Sequence, residues 1–250
     1  MNVTLICCFH GRHYKVERIL KCFLNQDYKD GKLELLLYNN SSVPQILDQV
    51  ELPENKSIKL INNHLDLKTG KEYTNTGDIF RDALTFISED SIICSHFDSD
   101  DIYLPNHVSE GVKRIKEAYR HEQLAYKPYF SYYLHGNNQI KKDNNNFEPS
   151  IFIDKQFLIK EGYRTTSASY NQKWLDKLHD IGGIYIPIWG LSTLIYDWSD
   201  GHGTHKISGG GDGRGNFIAH RLKETESGDG VLSPCNPEIV QKYYDLVKNQ

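Results

Sequence analysis

The sequence predicts an α/β protein, a mixed and mainly parallel sheet flanked by helices, built as a single domain over residues 1–250. Three observations carry this. In the first half of the chain, apolar runs of strand length alternate with segments whose apolar residues recur at helical spacing, the pattern of parallel strands joined by crossovers. Each run ends in a polar loop, so the loops gather on one edge of the sheet. The fourth loop is a carboxylate cluster, Asp98-Ser99-Asp100-Asp101, at the edge where open α/β sheets bind ligands.

The first run, residues 3–9, is broken by His10-Gly11-Arg12, and a helix follows through Val16, Ile19, Leu20 and Phe23. The second run, residues 33–38, closes with Asn39-Asn40-Ser41-Ser42 ahead of a short helical pattern. A third, residues 57–61, leads into a polar loop containing Asn75-Thr76-Gly77-Asp78 and a helix through Phe80, Leu84 and Ile87. The fourth strand, residues 91–95, feeds Phe97 and the carboxylates, followed by Ile102-Tyr103-Leu104-Pro105. In an extended segment Asp98 and Asp100 project to the same side and can offer hard oxygens to a divalent cation, which in turn can bridge a diphosphate. The competing reading of the same residues is a solvated turn ending in a helix cap.

The second half is less regular. Residues 126–134 are dense in aromatics, which either cover the core or stack on a sugar or base. A turn at 135–138 and a polar tract at 141–146 precede Ile151-Phe152-Ile153. This predicts antiparallel strands with a long polar connection, a place for an acceptor surface. Helices are expected over 154–161 and 171–178, and closing strands over 184–186 and 191–196. The Gly-rich stretch 207–215 is either a lid, with Arg214 as a diphosphate contact, or a linker. It has neither the preceding strand of a dinucleotide fingerprint nor the Lys-Ser/Thr of a P-loop. An amphipathic helix is expected over 239–247.

The ordered set of an opening strand with a polar break, a second strand ending in a polar quartet, Asn-x-Gly before a helix, and Asp-Ser-Asp-Asp-x-x-Leu-Pro resembles the family 2 glycosyltransferases, which have the GT-A fold. The resemblance covers roughly residues 3–118, the nucleotide-sugar-binding half; 119–200 would form the acceptor side and 201–250 a loop and terminal helix. It implies that Asp98 and Asp100 are the Asp-x-Asp pair holding Mn²⁺ or Mg²⁺ on the sugar-nucleotide diphosphate. Phe9, His10, Arg12, Asn75 and Ser99 would then border the nucleotide-sugar. Asn39 falls where the family usually has an Asp at the base, commonly uracil; an amide can still accept from a base N–H. The family's general base belongs near Tyr170-Asn171, but an amide cannot take a proton. That leaves a shifted register, Asp197 or Asp200 as the base, or retention of configuration.

Composition narrows the classes. A net charge of −4 argues against a broad nucleic-acid footprint, though not against a local basic strip. No apolar stretch reaches the ~20 residues of a membrane span, and no signal-peptide pattern precedes the first strand, so the expectation is a soluble, cytoplasmic protein. The five cysteines lie mostly in apolar runs without paired spacing, which reads as buried thiols.

Gly201-His202-Gly203-Thr204-His205 resembles the stretch around the catalytic His of subtilisin-like proteases, but no Gly-Thr-Ser nucleophile follows it. The resemblance to GT-A enzymes, many of which complete the cation's coordination with a His beyond the last sheet strand, implies His202 or His205 as a cation ligand; the other reading is that both are ordinary loop residues. The reading is a metal-dependent transferase using a nucleotide-diphosphate sugar, most simply a UDP-sugar, with a glycan, protein, lipid or modified DNA base as acceptor. A degenerate GT-A binding module and a nucleotidyltransferase are the alternatives.

Overall fold

The computed structural model describes residues 1–11, 13–134, 140–144, 148–167, 169–188 and 192–197. The predicted turn at 135–138, the Gly-rich stretch and the C-terminal helix lie outside the described residues. The strands are β1 (Val3–Phe9), β2 (Leu33–Asn39), β3 (Lys56–Asn62), β4 (Ile93–His96), β5 (Ile102–Tyr103), β6 (Ala125–Tyr126), β7 (Phe130–Leu134), β8 (Ile140–Asn144), β9 (Phe152–Asp154), β10 (Ile184–Tyr185) and β11 (Leu194–Asp197). The helices are α1 (His13–Leu24), α2 (Thr76–Leu84), α3 (His107–Arg120), α4 (Lys155–Glu161) and α5 (Gln172–Asp180).

Seven strands form one sheet in the order β10-β6-β9-β4-β1-β2-β3. Four of its six pairings are parallel, and only β9 runs against its neighbours. Side chains alternate across this sheet and build two cores. Val3, Leu5, Cys7 and Phe9 of β1 with Leu33, Leu35 and Leu37 of β2 face α1 and α3. Ile6 and Tyr38 face α2, α4 and α5. Both faces are covered, which is why β1 and β2 read as continuous apolar runs. Gly111 of α3 lies against the Phe152 ring, where a Cβ would overlap it. Asp154 caps α4 by accepting from Phe157 N–H at 2.9 Å, and Gly162 ends that helix at φ +62.

Three expectations needed correction. The short helix after Asn39-Asn40-Ser41-Ser42 does not form. Residues 43–55 carry no helix, because Pro44 and Pro53 disfavour helical backbone at the residues before them, and Ile46 of the apparent apolar face is 80% exposed. The polar tract after residue 140 is not a connection but strand β8, antiparallel to β7. It is the last strand in the order of its sheet, a position where lysines are common. The aromatic strand β7 and the closing strand β11 leave the main sheet and form a second one, in the order β5-β11-β7-β8. Tyr126 and Tyr132 are buried, as the core reading of the aromatics expects, whereas Tyr129 is exposed. Cys7, Cys22 and Cys94 are buried free thiols and Cys8 is a partly buried one.

Two histidines are enclosed by these cores. His96 ends β4, with Nε2 2.7 Å from Tyr163 Oη, and His107 opens α3, with Nδ1 2.8 Å from Thr193 Oγ1. Burial pulls both imidazoles down to about 3. The unfolded chain binds these protons near pH 6.5 and the folded chain only near 3, so their contribution is complete above about pH 6.5 and is lost as pH falls. Stability should drop by about 1.4 kcal/mol per pH unit per histidine in that window. Thermal melts from neutral pH down to about pH 4.5 should show a falling Tm, with a shallower fall in His107→Leu. A flat Tm would contradict two buried neutral imidazoles.

Candidate functional site

β1, β2, β3 and β4 run parallel, so the loops that follow them leave from one edge. Main-chain hydrogen bonds extend the sheet into those loops. Phe97 N–H donates to Ile6 O at 2.8 Å, Asn40 N–H to Phe9 O at 3.1 Å, and Asn63 N–H to Asn39 O at 2.9 Å. Phe9 and Asn39 are register partners, and His10 Nδ1 lies 3.3 Å from the Asn40 amide nitrogen. The edge therefore brings together Phe9, His10, Asn39 and the carboxylate loop.

Burial alternates along that loop. Ser99 and Asp101 are buried, while Asp98 and Asp100 are partly exposed; residues 98–101 form a turn rather than the extended segment that the sequence suggested. Asp98 N–H donates to Tyr103 Oη at 2.6 Å, and Asp101 N–H donates to Asp98 O at 3.2 Å. From α1, Arg18 Nη2 donates to Ser99 O at 3.3 Å. Burial, then the charges of neighbouring Cys7 and Asp98, push the Cys8 thiol well up.

Asn39 is fully buried and its amide is committed within the protein. Its Nδ2 donates to Val43 O and to Asn62 Oδ1, both at 2.8 Å, and its Oδ1 accepts from Ser41 N–H at 3.1 Å. It shapes the loop after β2. Asn75 is the N-cap of α2, accepting from Asp78 N–H at 2.9 Å. Beside it, Gly77 N–H donates to Thr166 O at 2.9 Å, and a Cβ at 77 would overlap the Arg164 carbonyl. Only glycine lets the segment after α4 seat here.

A polar knot behind α2 was not foreseen from the sequence. Arg81 binds Asp66 at 2.9 Å and Asp82 at 2.8 Å, and it also pairs with Asp78. Burial opposes ionisation of Asp66, but the Arg81, Thr69 and Lys68 donors hold its carboxyl below the usual range. Phe80 stacks on His96 at 4.6 Å and on Tyr170 at 4.9 Å, forming an aromatic wall beside the end of β4. α5 begins at Gln172, so Asn171 occupies its N-cap, the place where the family resemblance puts a base. Asp197 ends β11, in register with Leu134. Arg12, Asp200, His202, His205 and Arg214 lie outside the described residues.

Among the described residues no three His, Cys, Asp or Glu side chains form a metal cage. Asp98 and Asp100 nonetheless suit Mg²⁺ or Mn²⁺, hard ions that take one or two carboxylates and complete their shell with water and substrate phosphates. A cavity of about 310 Å³ opens on the opposite edge, among Asn2, Lys32, Glu34, Lys56, Ser88 and Asp90. Several of its charged side chains are tied within the protein: Lys32 to Asp90 at 2.8 Å, Glu34 to Thr4 at 3.0 Å, and Lys56 to the Leu24 and Gln26 carbonyls at 2.7 Å; Glu54 lines it as well. No helix among the described residues is long and apolar enough to cross a membrane.

No protein-family model and no curated protein matches the chain. Solved structures do. S. aureus TarS 1-349 in complex with UDP-GlcNAc superposes with a TM-score of 0.60 at 13% identity, over 99% of this chain and 70% of that one. TarS 1-349 in complex with UDP gives 0.57 at 12%, over 79% and 60%. The mannosyltransferase PcManGT from Pyrobaculum calidifontis, in complex with GDP-Man and Mn²⁺, gives 0.54 at 12%, over 98% and 69%. The chain thus spans 60% of the length of UDP-bound TarS. At these identities the likeness shows the fold, which is the GT-A α/β fold.

The commitment of Asn39 is testable. Asn39→Asp removes both donations, to Val43 O and Asn62 Oδ1, and sets a carboxylate against two carbonyl oxygens. Stability should fall by about 1–3 kcal/mol, read as a lower urea midpoint; an unchanged midpoint would show that the amide is not holding this loop.

Proposed function

We propose that the chain is a family 2-like, metal-dependent glycosyltransferase that moves a sugar from a UDP-sugar to an acceptor hydroxyl. The observation that carries this is the carboxylate loop itself: Asp98 and Asp100 partly exposed between the buried Ser99 and Asp101, at the C-terminal edge of four parallel strands. The GT-A fold, and the UDP-GlcNAc and GDP-Man of two similar structures, support a nucleotide-sugar at that edge.

In this reading a bond forms between the acceptor oxygen and the anomeric carbon, while the bond from that carbon to the diphosphate breaks and its electron pair leaves with the diphosphate. A bound Mn²⁺ or Mg²⁺ supplies positive charge against the leaving group. Asp98 and Asp100 hold that ion, with His202 and His205 as further ligands. Phe9, His10, Arg12, Asn75 and Ser99 border the nucleotide-sugar, Asn39 shapes the loop beside the base, and Arg214 reaches the diphosphate. Asp197 or Asp200 takes the acceptor proton, since Asn171 cannot. The acceptor is a glycan, protein, lipid or modified DNA base, met in the cytoplasm.

Asn171 favours one other reading, a GT-A module that binds a sugar or a partner without turning it over. Release of UDP from UDP-sugars separates the two. Asp100→Ala should lower that release, and Mn²⁺-dependent UDP binding, by roughly a hundredfold or more, with the melting curve little changed because the side chain is partly exposed. Full activity in EDTA would refute the metal-dependent mechanism.

A further inference from the structure

We propose that Tyr103 is a positioning residue that presets the Asp98–Asp100 pair for its cation; this rests on the metal-dependent reading above. Tyr103 is fully buried on β5 and held from three directions. Its ring stacks on Phe97 with centroids 3.8 Å apart and an interplanar angle of 22°. His107 meets it edge-on at 4.8 Å, and its backbone pairs with Leu194 of β11. The phenol oxygen is therefore a fixed point in the core, and it accepts the Asp98 N–H at 2.6 Å.

That bond closes the carboxylate loop on itself. One residue earlier, Phe97 N–H is tied to Ile6 O of β1 at 2.8 Å, so two successive peptide groups are anchored on either side of the Phe97 Cα. Within the closed loop the Asp101 N–H to Asp98 O bond at 3.2 Å sets the turn. Arg18 grips the outside of the loop at Ser99 O. The direction in which Asp98 leaves the backbone is thus set before any ligand arrives, and Asp100 follows two residues on. A loop ordered in advance loses less freedom on binding an ion, which raises affinity without adding a ligand. Tyr103 touches neither ion nor substrate in this account.

The test is Tyr103→Phe, which keeps the ring stack and removes only the acceptor. Free Mn²⁺ would be followed by its paramagnetic resonance signal during titration in the presence of UDP. The dissociation constant for Mn²⁺ should rise about tenfold, and the deficit in UDP release should narrow as Mn²⁺ is increased. A merely structural tie would lower Tm and leave the Mn²⁺ constant unchanged, and that result overturns the inference. Should Tyr103→Phe fail to fold, 3,5-difluorotyrosine at 103 keeps the shape with a weaker acceptor; the constant must still rise, or the inference fails. Unmodified protein that holds no Mn²⁺ with UDP overturns the reading and the inference together. Tight binding by the unmodified protein and equally tight binding by Tyr103→Phe overturns the inference alone.

Discussion

β1 is hydrogen-bonded to a parallel strand on each side, to β2 through seven registered residues and to β4 through four. Because all three point the same way, Phe9, Asn39 and the loop after His96 end at one edge. A slip of one residue in β1 would turn Val3, Leu5, Cys7 and Phe9 away from α1 and α3 and expose one core while crowding the other. The register that fills the two cores is therefore also the register that places His10 beside Asn40 and Phe97 beside Ile6. Packing and site geometry are one constraint here.

From that edge outward, order is maintained by polar ties rather than by apolar burial. Asn39 and Asn62 hold the loop after β2, and Arg81 gathers Asp66, Asp78 and Asp82 behind α2. Tyr103 and Arg18 hold the carboxylate loop. Each tie uses a buried or partly buried group whose loss would leave its partner without compensation, so these loops tolerate little substitution. Between these ties Asp98 and Asp100 are partly exposed.

Much of the frame was legible in the sequence because it depends on local pattern. The apolar runs located β1 to β4, and the residues at 154–161 announced the helix that forms as α4. What was hidden depends on contacts distant in sequence. Nothing local says that a lysine-rich tract becomes β8 by pairing with β7. Asn39 looked like a free ligand because its partner Asn62 lies on another strand. The tie from Tyr103 was hidden as well, since only the folded loop brings its hydroxyl back to Asp98.

The central claim is that a cation and a nucleotide diphosphate meet at the C-terminal edge of β1 and β4. Paramagnetic broadening of amide signals in ¹⁵N-labelled protein, on addition of Mn²⁺ with UDP, tests it most directly. The account predicts selective loss of the signals of Phe9, Asn40, Ser99 and Asp101, with Lys32, Ser57 and Ser88 at the opposite edge unaffected. Broadening centred on Lys32, Ser57 and Ser88, or no selective broadening anywhere, would contradict it.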